Sequence, residues 1–161
     1  MRRAVLIAAA VAIIDQLTKL LVLRFLGENE SRAVIDGFFN LVNVRNTGAA
    51  FSMFPNSNVA LAVICVLTVL ALYAFRRSLG IHVAGCQIAF GLIAGGIIGN
   101  LIDRLWHQHV VDFLDFYLGT HHWPAFNVAD SAICVGVGLY IIVSWRHDRH
   151  EAVSQASKLP S

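Results

Sequence analysis

Three aspartates lie around one loop between apolar segments of this 161-residue chain. Asp103 and Asp112 follow the third long apolar run, and Asp130 lies just inside the fourth. Ionised carboxylates near hydrocarbon are costly and are retained there by function or by close pairing. The segment between Asp112 and Asp130 is long enough to turn back and bring these two carboxylates together, so they are the first candidates for chemistry.

Two carboxylates that share a dry site cannot both ionise readily, so one keeps its proton near neutral pH while the other acts as a base. The ionised member can activate a water molecule against a carbonyl group, and the protonated member can polarise that carbonyl and later assist loss of an amine. Asp112 and Asp130 therefore predict a dyad of the aspartic-protease type. Arg104 directly follows Asp103, and a carboxylate beside a guanidinium stays ionised. We expect Asp103 to position other groups.

The first apolar run carries Asp15 and Lys19, which are four residues apart and so on one helical face. Counted from Ala4, Asp15 lies about 16 Å along a helix, near the middle of a bilayer. An unpaired charge is costly at that depth, so we expect an ion pair that locks helices together. The alternative is a small four-span transporter in which Asp15 and Lys19 form a proton or cation relay.

Other hydrolytic chemistries have weaker signals. The histidines of the loop lack the helix-borne His-Glu-x-x-His arrangement of a zinc protease, and no serine has the Gly-x-Ser-x-Gly setting of a nucleophile elbow. We therefore expect no metal and no cofactor. A net charge of +2 without a basic tract argues against nucleic-acid binding. The side chains set aside are His107, His109, His121, His122, Ser52, Ser57 and Ser131.

The elements that must position these groups are membrane helices. The chain is 57% hydrophobic and 14% charged, which is far from the composition of a soluble globular protein. Apolar runs cover about residues 4–25, 58–75, 84–102 and 128–145, each near the roughly 20 residues that a helix needs to cross hydrocarbon. The sequence predicts an all-α integral membrane protein, a single domain over residues 1–161 with four transmembrane helices.

The placement of arginines predicts the orientation, because short basic flanks remain cytoplasmic. Two arginines precede the first run, two fill the loop between the second and third runs, and two follow the fourth. These flanks share one face of a four-span protein, so both termini are expected in the cytoplasm, and the long segments 26–57 and 103–127 face the outer side. The arginines are Arg2, Arg3, Arg76, Arg77, Arg146 and Arg149.

The outer segments carry patterns of their own. Residues 39–45 alternate with period two before a turn signal, which predicts short strands on the outer membrane surface with an edge that an extended peptide can join. Residues 109–118 are too short to span and too apolar for an exposed loop, so we expect them in the membrane interface. Asn127 is expected to cap the fourth helix, with Asp130 at its third position.

Two further features concern the helices themselves. Gly91, Gly95 and Gly99 recur every four residues in the third run, a stripe of small residues that lets a neighbouring helix approach closely. The polar end that contains His147 and His150 is expected to be a tail without defined structure.

Five blocks of this sequence resemble, in order, those of bacterial lipoprotein signal peptidases, the type-two signal peptidases. They are residues 15–19 (DQLTK), 46–51 (NTGAAF), 95–104 (GGIIGNLIDR), 110–113 (VVDF) and 124–130 (PAFNVAD). They are distributed along the whole chain except the second span and the tail. Ile97 stands where the family pattern leads us to expect a small residue such as alanine, which is expected to widen the helix spacing slightly.

The resemblance implies four transmembrane helices, a small extracytoplasmic β-cradle and a short interfacial helix, in the bacterial inner membrane. It implies cleavage of a prolipoprotein just before a diacylglyceryl-modified cysteine, without a metal, by a monomer in contact with membrane lipid. The implied dyad is Asp112 and Asp130, with Asp103 left open as the other possible partner of Asp130. The implied supporting or substrate-binding positions are Asp15, Lys19, Asn46, Gly95, Asn100, Asp103, Arg104 and Asn127.

Overall fold

The structure is a computed structural model that describes residues 1–49, 53–54 and 56–156, and beyond residue 147 the side chain of Arg149 alone. Ala50, Phe51 and Ser52 lie outside the described residues. The described chain forms four long helices and four strands. The helices are α1 (Arg2–Phe25), α2 (Asn58–Phe75), α3 (Ala84–Trp106) and α4 (Val128–Ala156). The strands are β1 (Ser31–Ile35), β2 (Phe39–Asn46), β3 (Val110–Leu118) and β4 (His121–His122).

All four helices are long and apolar enough to cross a membrane, and the four apolar runs of the sequence lie within them. Their outward faces carry large apolar side chains; Leu6 is 69% exposed and Val59 is 72% exposed. The exposure of such side chains to water is unfavourable, whereas their contact with the hydrocarbon of a membrane is favourable. The described chain is therefore a four-helix membrane bundle with a small sheet at one end.

Helix α3 lies at the centre of this bundle. It packs closely against α1 and α4, whereas α2 packs mainly on α3. A Cβ atom at Gly95 would lie 2.7 Å from the carbonyl oxygen of Ala8, and one at Gly99 would lie 2.6 Å from Oδ2 of Asp15. Only glycine allows α1 to come this close, which confirms the predicted packing role of the stripe. Ile97 is buried, at 8% exposure, within the same central helix.

The sheet is antiparallel with strand order β1-β2-β3-β4. After β4 the chain returns along β3, where the carbonyl oxygen of Phe126 accepts hydrogen bonds from the N–H groups of Phe113 and Leu114. Phe113 and Val111 of β3 pack in one buried cluster with Val22 of α1. This cluster fastens the sheet to the end of α1 and holds β3 over the bundle.

Two outcomes concern the segments at the edges of the predicted spans. Residues 109–118 form β3 from Val110 onward, and no described residue outside the four long helices is α-helical. Helix α4 continues to Ala156, so the prediction of a structureless tail from His147 is wrong. A helix that is already formed extends at low cost, because propagation fixes fewer dihedral angles per hydrogen bond than nucleation does.

Candidate active site

Asp112 and Asp130 come from different elements and line the same cavity. Asp112 lies within β3, opposite Val44 of β2, and Asp130 lies in the first turn of α4. The cavity has a volume of about 470 Å³ and is walled largely by apolar side chains. The other residues that line it are Asn46, Ala49, Asn100, Arg104, Val110, Trp123, Pro124, Ala125, Phe126, Ser131, Ile133 and Cys134.

Asn127 contacts both carboxylates and is completely buried. Its Nδ2 donates to Oδ1 of Asp112 at 2.7 Å, and its backbone N–H donates to Oδ2 of Asp130 at 3.2 Å. The N–H of Asp130 donates in return to Oδ1 of Asn127 at 3.0 Å. These reciprocal bonds form a capping box at the start of α4, so the predicted cap is present and also joins the two aspartates.

The remaining oxygen of each carboxylate accepts a hydrogen bond from another asparagine. Nδ2 of Asn46 donates to Oδ2 of Asp112 at 2.9 Å, and Nδ2 of Asn100 donates to Oδ1 of Asp130 at 2.8 Å. Neutral amides orient a carboxylate without the strong bias toward ionisation that an adjacent guanidinium or ammonium imposes. Both carboxylates are thus oriented by neutral amide groups.

The protonation of Asp112 follows from its surroundings. Burial, and to a smaller extent the charge of Asp130, raise the pKa of Asp112 from 3.8 to a net value of about 7. Hydrogen bonds from Asn46 and Asn127 and the charge of Lys19 act in the opposite direction and are outweighed. Asp112 therefore retains its proton up to about neutral pH.

Beneath the dyad lies a buried ion cluster. Nζ of Lys19 lies 2.8 Å from Asp15 and 2.9 Å from Asp103, and donates to Oδ1 of Asn100 at 3.0 Å. Asp15 is 0%, Lys19 2% and Asp103 1% exposed. The ion pair expected in the first span is present, but the expected pairing of Asp103 with Arg104 is wrong. Adjacent residues on a helix do not face each other, and Lys19 of another helix takes that place.

The ion cluster also holds the backbone beside each dyad aspartate. Oδ1 of Asp15 accepts a hydrogen bond at 2.9 Å from the N–H of Ala129, the residue before Asp130. Oδ2 of Asp103 accepts one at 3.1 Å from the N–H of Val111, the residue before Asp112. The two buried carboxylates of the cluster thus hold the backbone at the residues that precede Asp130 and Asp112.

Two other predicted positions have different surroundings. Nη2 of Arg104 donates to the carbonyl oxygen of Gly48 at 2.9 Å, which ties α3 to the loop after β2 at the cavity wall. Gly95 packs against Ala8 of α1 rather than against the dyad. Among the loop histidines, Nδ1 of His122 lies 2.9 Å from Asp115 on the sheet.

One side chain of the cluster was not singled out by the sequence. Nε2 of Gln16 donates to Oδ1 of Asp103 at 2.8 Å and to the carbonyl oxygen of Gly99 at 3.1 Å. Its type and position offered a signal, because an amide one residue after a buried aspartate in a membrane span needs a partner. The identity of that partner depends on the contact of α1 with α3, which no local pattern specifies.

A four-helix membrane bundle with a cavity at its sheet end is a fold that solved membrane enzymes share. The chain is similar to a bacterial membrane enzyme structure determined by the in meso method at 2.3 Å resolution, with TM-score 0.83 and 31% identity over 100% of this chain and 94% of the other. A second such structure, at 1.9 Å, gives TM-score 0.78 and 34% identity over 89% and 92%.

Sequence comparisons define the family. A family model described as Signal peptidase (SPase) II matches residues 7–146. A lipoprotein signal peptidase of Syntrophotalea carbinolica is 46% identical over 91% of this chain and 94% of its own length. One of Geobacter sulfurreducens is 44% identical over 87% and 89%. The chain belongs to the signal peptidase II family, and with its four membrane-spanning helices it is a multi-pass protease of the bacterial inner membrane.

Proposed function

We propose that this chain is a membrane-embedded aspartic endopeptidase that removes signal peptides from prolipoproteins, cutting just before a diacylglyceryl-modified cysteine. Asp112 and Asp130 are the proposed catalytic residues. The observation that carries the proposal is that these two carboxylates, from β3 and α4, line one apolar cavity and share Asn127 as a hydrogen-bond donor. The relatives named as lipoprotein signal peptidases support the substrate class.

In the proposed mechanism Asp130 is the base and Asp112 is the acid. Asp130 takes a proton from a water molecule as the water oxygen attacks the scissile carbonyl carbon, and Asp112 gives its proton to the carbonyl oxygen, so a tetrahedral diol forms. Asp130 then passes its proton to the amine nitrogen as the C–N bond breaks, and Asp112 recovers a proton from the diol as the carboxyl product forms. One water molecule is consumed, and the dyad returns to its starting protonation.

The raised pKa of Asp112 supports this division of roles, because an acid must still hold its proton near neutral pH. Asn100 orients Asp130, the proposed base. The ammonium of Lys19 donates to Oδ1 of Asn100, so the amide nitrogen of Asn100 faces Asp130 and donates to it.

The cavity suits a lipid-anchored substrate. Val110, Phe126 and Ile133 supply apolar walls beside the two acids, and a lipidated cysteine keeps its acyl chains in the bilayer with the peptide bond near the surface. The basic flanks of the helices are proposed to lie in the cytoplasm together with both termini. The dyad and the sheet then face the outer side, where the signal peptide ends, and the protein acts as a monomer.

The transporter alternative depends on Asp15 and Lys19 serving as a relay. Lys19 is 2% exposed and directs its ammonium at two carboxylates and one amide oxygen. An ammonium group has three donors, so these three contacts use all of them. Neither Asp15 nor Lys19 lines the 470 Å³ cavity. These contacts favour a structural role for the pair.

Cleavage of a purified diacylglyceryl-modified precursor by protein in lipid tests the proposal. Asp112→Asn and Asp130→Asn are expected to lose cleavage while keeping the folded state, and the exposed Asp36→Asn is the matched control with activity near wild type. Near-normal cleavage by either dyad variant would refute the dyad. Loss of cleavage in a well-folded Asp103→Asn variant, with Asp112→Asn active, would make Asp103 the partner of Asp130. Activity should persist after chelation.

A further inference from the structure

A second cavity lies at the opposite end of the bundle from the dyad, and no step of the proposed reaction uses it. It has a volume of about 360 Å³ and lies among α1, α2 and α3. We propose that it binds one acyl chain of an anionic phospholipid, with the lipid phosphate at Arg76. The residues used in the argument are Ala4, Ala9, Ala12, Tyr73 and Arg76.

The cavity exists because α2 packs on α3 and makes little contact with α1. The α1 side of the resulting groove extends from Ala4 to Ala12, a rise of about 12 Å. That length is close to half of the roughly 30 Å hydrocarbon core, which is the depth of one leaflet. In a membrane, lipid fills such a space, and one phospholipid acyl chain lies within one leaflet and is apolar like the walls of the groove.

The mouth of the groove determines the kind of lipid. Every lining side chain is apolar except those of Tyr73 and Arg76. The guanidinium of Arg76 lies 4.1 Å from the centre of the Tyr73 ring, and Nη1 donates to the Tyr73 carbonyl oxygen. A guanidinium has five donors, so most of those on Arg76 remain for phosphate oxygens, which it binds in bidentate fashion.

Neighbouring charges favour a lipid with net negative charge. Arg2 and Arg3 begin α1 beside the groove, and Arg77 follows Arg76 at the end of α2. A zwitterionic headgroup places a positive charge among these arginines, whereas an anionic headgroup does not. The bound lipid then bridges α1 and α2 and adds to the little contact that these helices make with each other.

The test counts lipids retained by the purified full chain, by native mass spectrometry, after exchange into phosphatidylglycerol, phosphatidylcholine or oleate. Wild type is expected to retain phosphatidylglycerol in preference to both others. Ala9→Phe, which fills the groove, should abolish retention, while Ala10→Phe, at the next and exposed position outside the groove, should not. Arg76→Gln should lower the preference for phosphatidylglycerol over phosphatidylcholine about fivefold, which is the effect of one arginine at an anionic surface. Arg77→Gln should lower this preference clearly less.

Each contrary result overturns the proposal. Equal retention by Ala9→Phe and Ala10→Phe would mean that the lipid does not occupy the groove. Equal effects of Arg76→Gln and Arg77→Gln, or equal retention of phosphatidylcholine, would remove the specific role of Arg76. Oleate retained as well as phosphatidylglycerol would show that a carboxylate suffices and that the ligand is not a phospholipid.

Discussion

Replacing Asp112 by asparagine should remove a large pH dependence from the stability of this protein. The pKa of Asp112 is about 7 in the folded protein against an ordinary value of 3.8. Between those two values the folded state holds a proton that the unfolded state has released, so the free energy of unfolding falls as pH rises. At 1.36 kcal/mol for each pH unit, the loss between pH 3.8 and about 7 is about 4 kcal/mol.

Asparagine has the same shape and no charge, so the variant lacks this loss. The variant has another cost, which is the same at every pH, because the NH₂ group of the introduced asparagine must face a donor from Asn46 or Asn127. A buried donor without an acceptor costs about 1–3 kcal/mol. Asp112→Asn should therefore be less stable than wild type at pH 4 and more stable at pH 8, and the two curves should cross between about pH 4.5 and 6.

Denaturant unfolding in micelles, followed by tryptophan fluorescence from pH 4 to 8, measures both curves. Asp36→Asn is the matched control, since Asp36 is exposed in the outer segment, and its curve should run parallel to that of wild type. A curve for Asp112→Asn that also runs parallel to wild type over this range would refute the reasoning about the protonation of Asp112.

Three further outcomes are expected. Under the proposed mechanism, cleavage should fall about tenfold for each pH unit above about pH 7, because Asp112, the proposed acid, then loses its proton; a rate that is flat to pH 9 would contradict this. Lys19→Met should lower the free energy of unfolding by about 3–5 kcal/mol, because it leaves two buried carboxylates without their cation; a thermal unfolding assay that finds wild-type stability would contradict this. Gly99→Ala should lower the free energy of unfolding by about 1–3 kcal/mol, because its Cβ would lie 2.6 Å from Oδ2 of Asp15. Gly138→Ala is the control, because there is open space around its Cβ, and it should raise the free energy of unfolding by up to about 1 kcal/mol through helix propensity. Equal losses of stability in the two variants would contradict the packing argument.

The helices were predictable from the sequence because the constraint on them is local. A membrane span must satisfy its own backbone hydrogen bonds over the thickness of the hydrocarbon. Residues 58–75, for example, are by themselves long and apolar enough to do so as a helix. The cap at Asn127 and the position of Asp130 were predictable for the same reason, since a helix start is specified within a few residues.

The partners of the buried charges were not predictable in this way. Arg104 is the neighbour of Asp103 in sequence, but their side chains diverge around the helix, and the cation that reaches Asp103 is Lys19 of α1. Gln16 was missed for the same reason, because its contact with Asp103 exists only once α1 packs on α3. Desolvation determines that a partner must exist, and tertiary packing determines which residue it is.

The capping box at the start of α4 determines when, during membrane insertion and folding, Asp130 reaches its position. Asp130 is both the proposed base and the residue that closes the first turn of its helix with Asn127. Within the same turn, the N–H of Ala129 donates to Oδ1 of Asp15 of α1. The base is therefore in position only when the last span has inserted and docked on the first. Under the proposed function, a chain still being inserted is an inactive precursor, and completion of the bundle is its activation step.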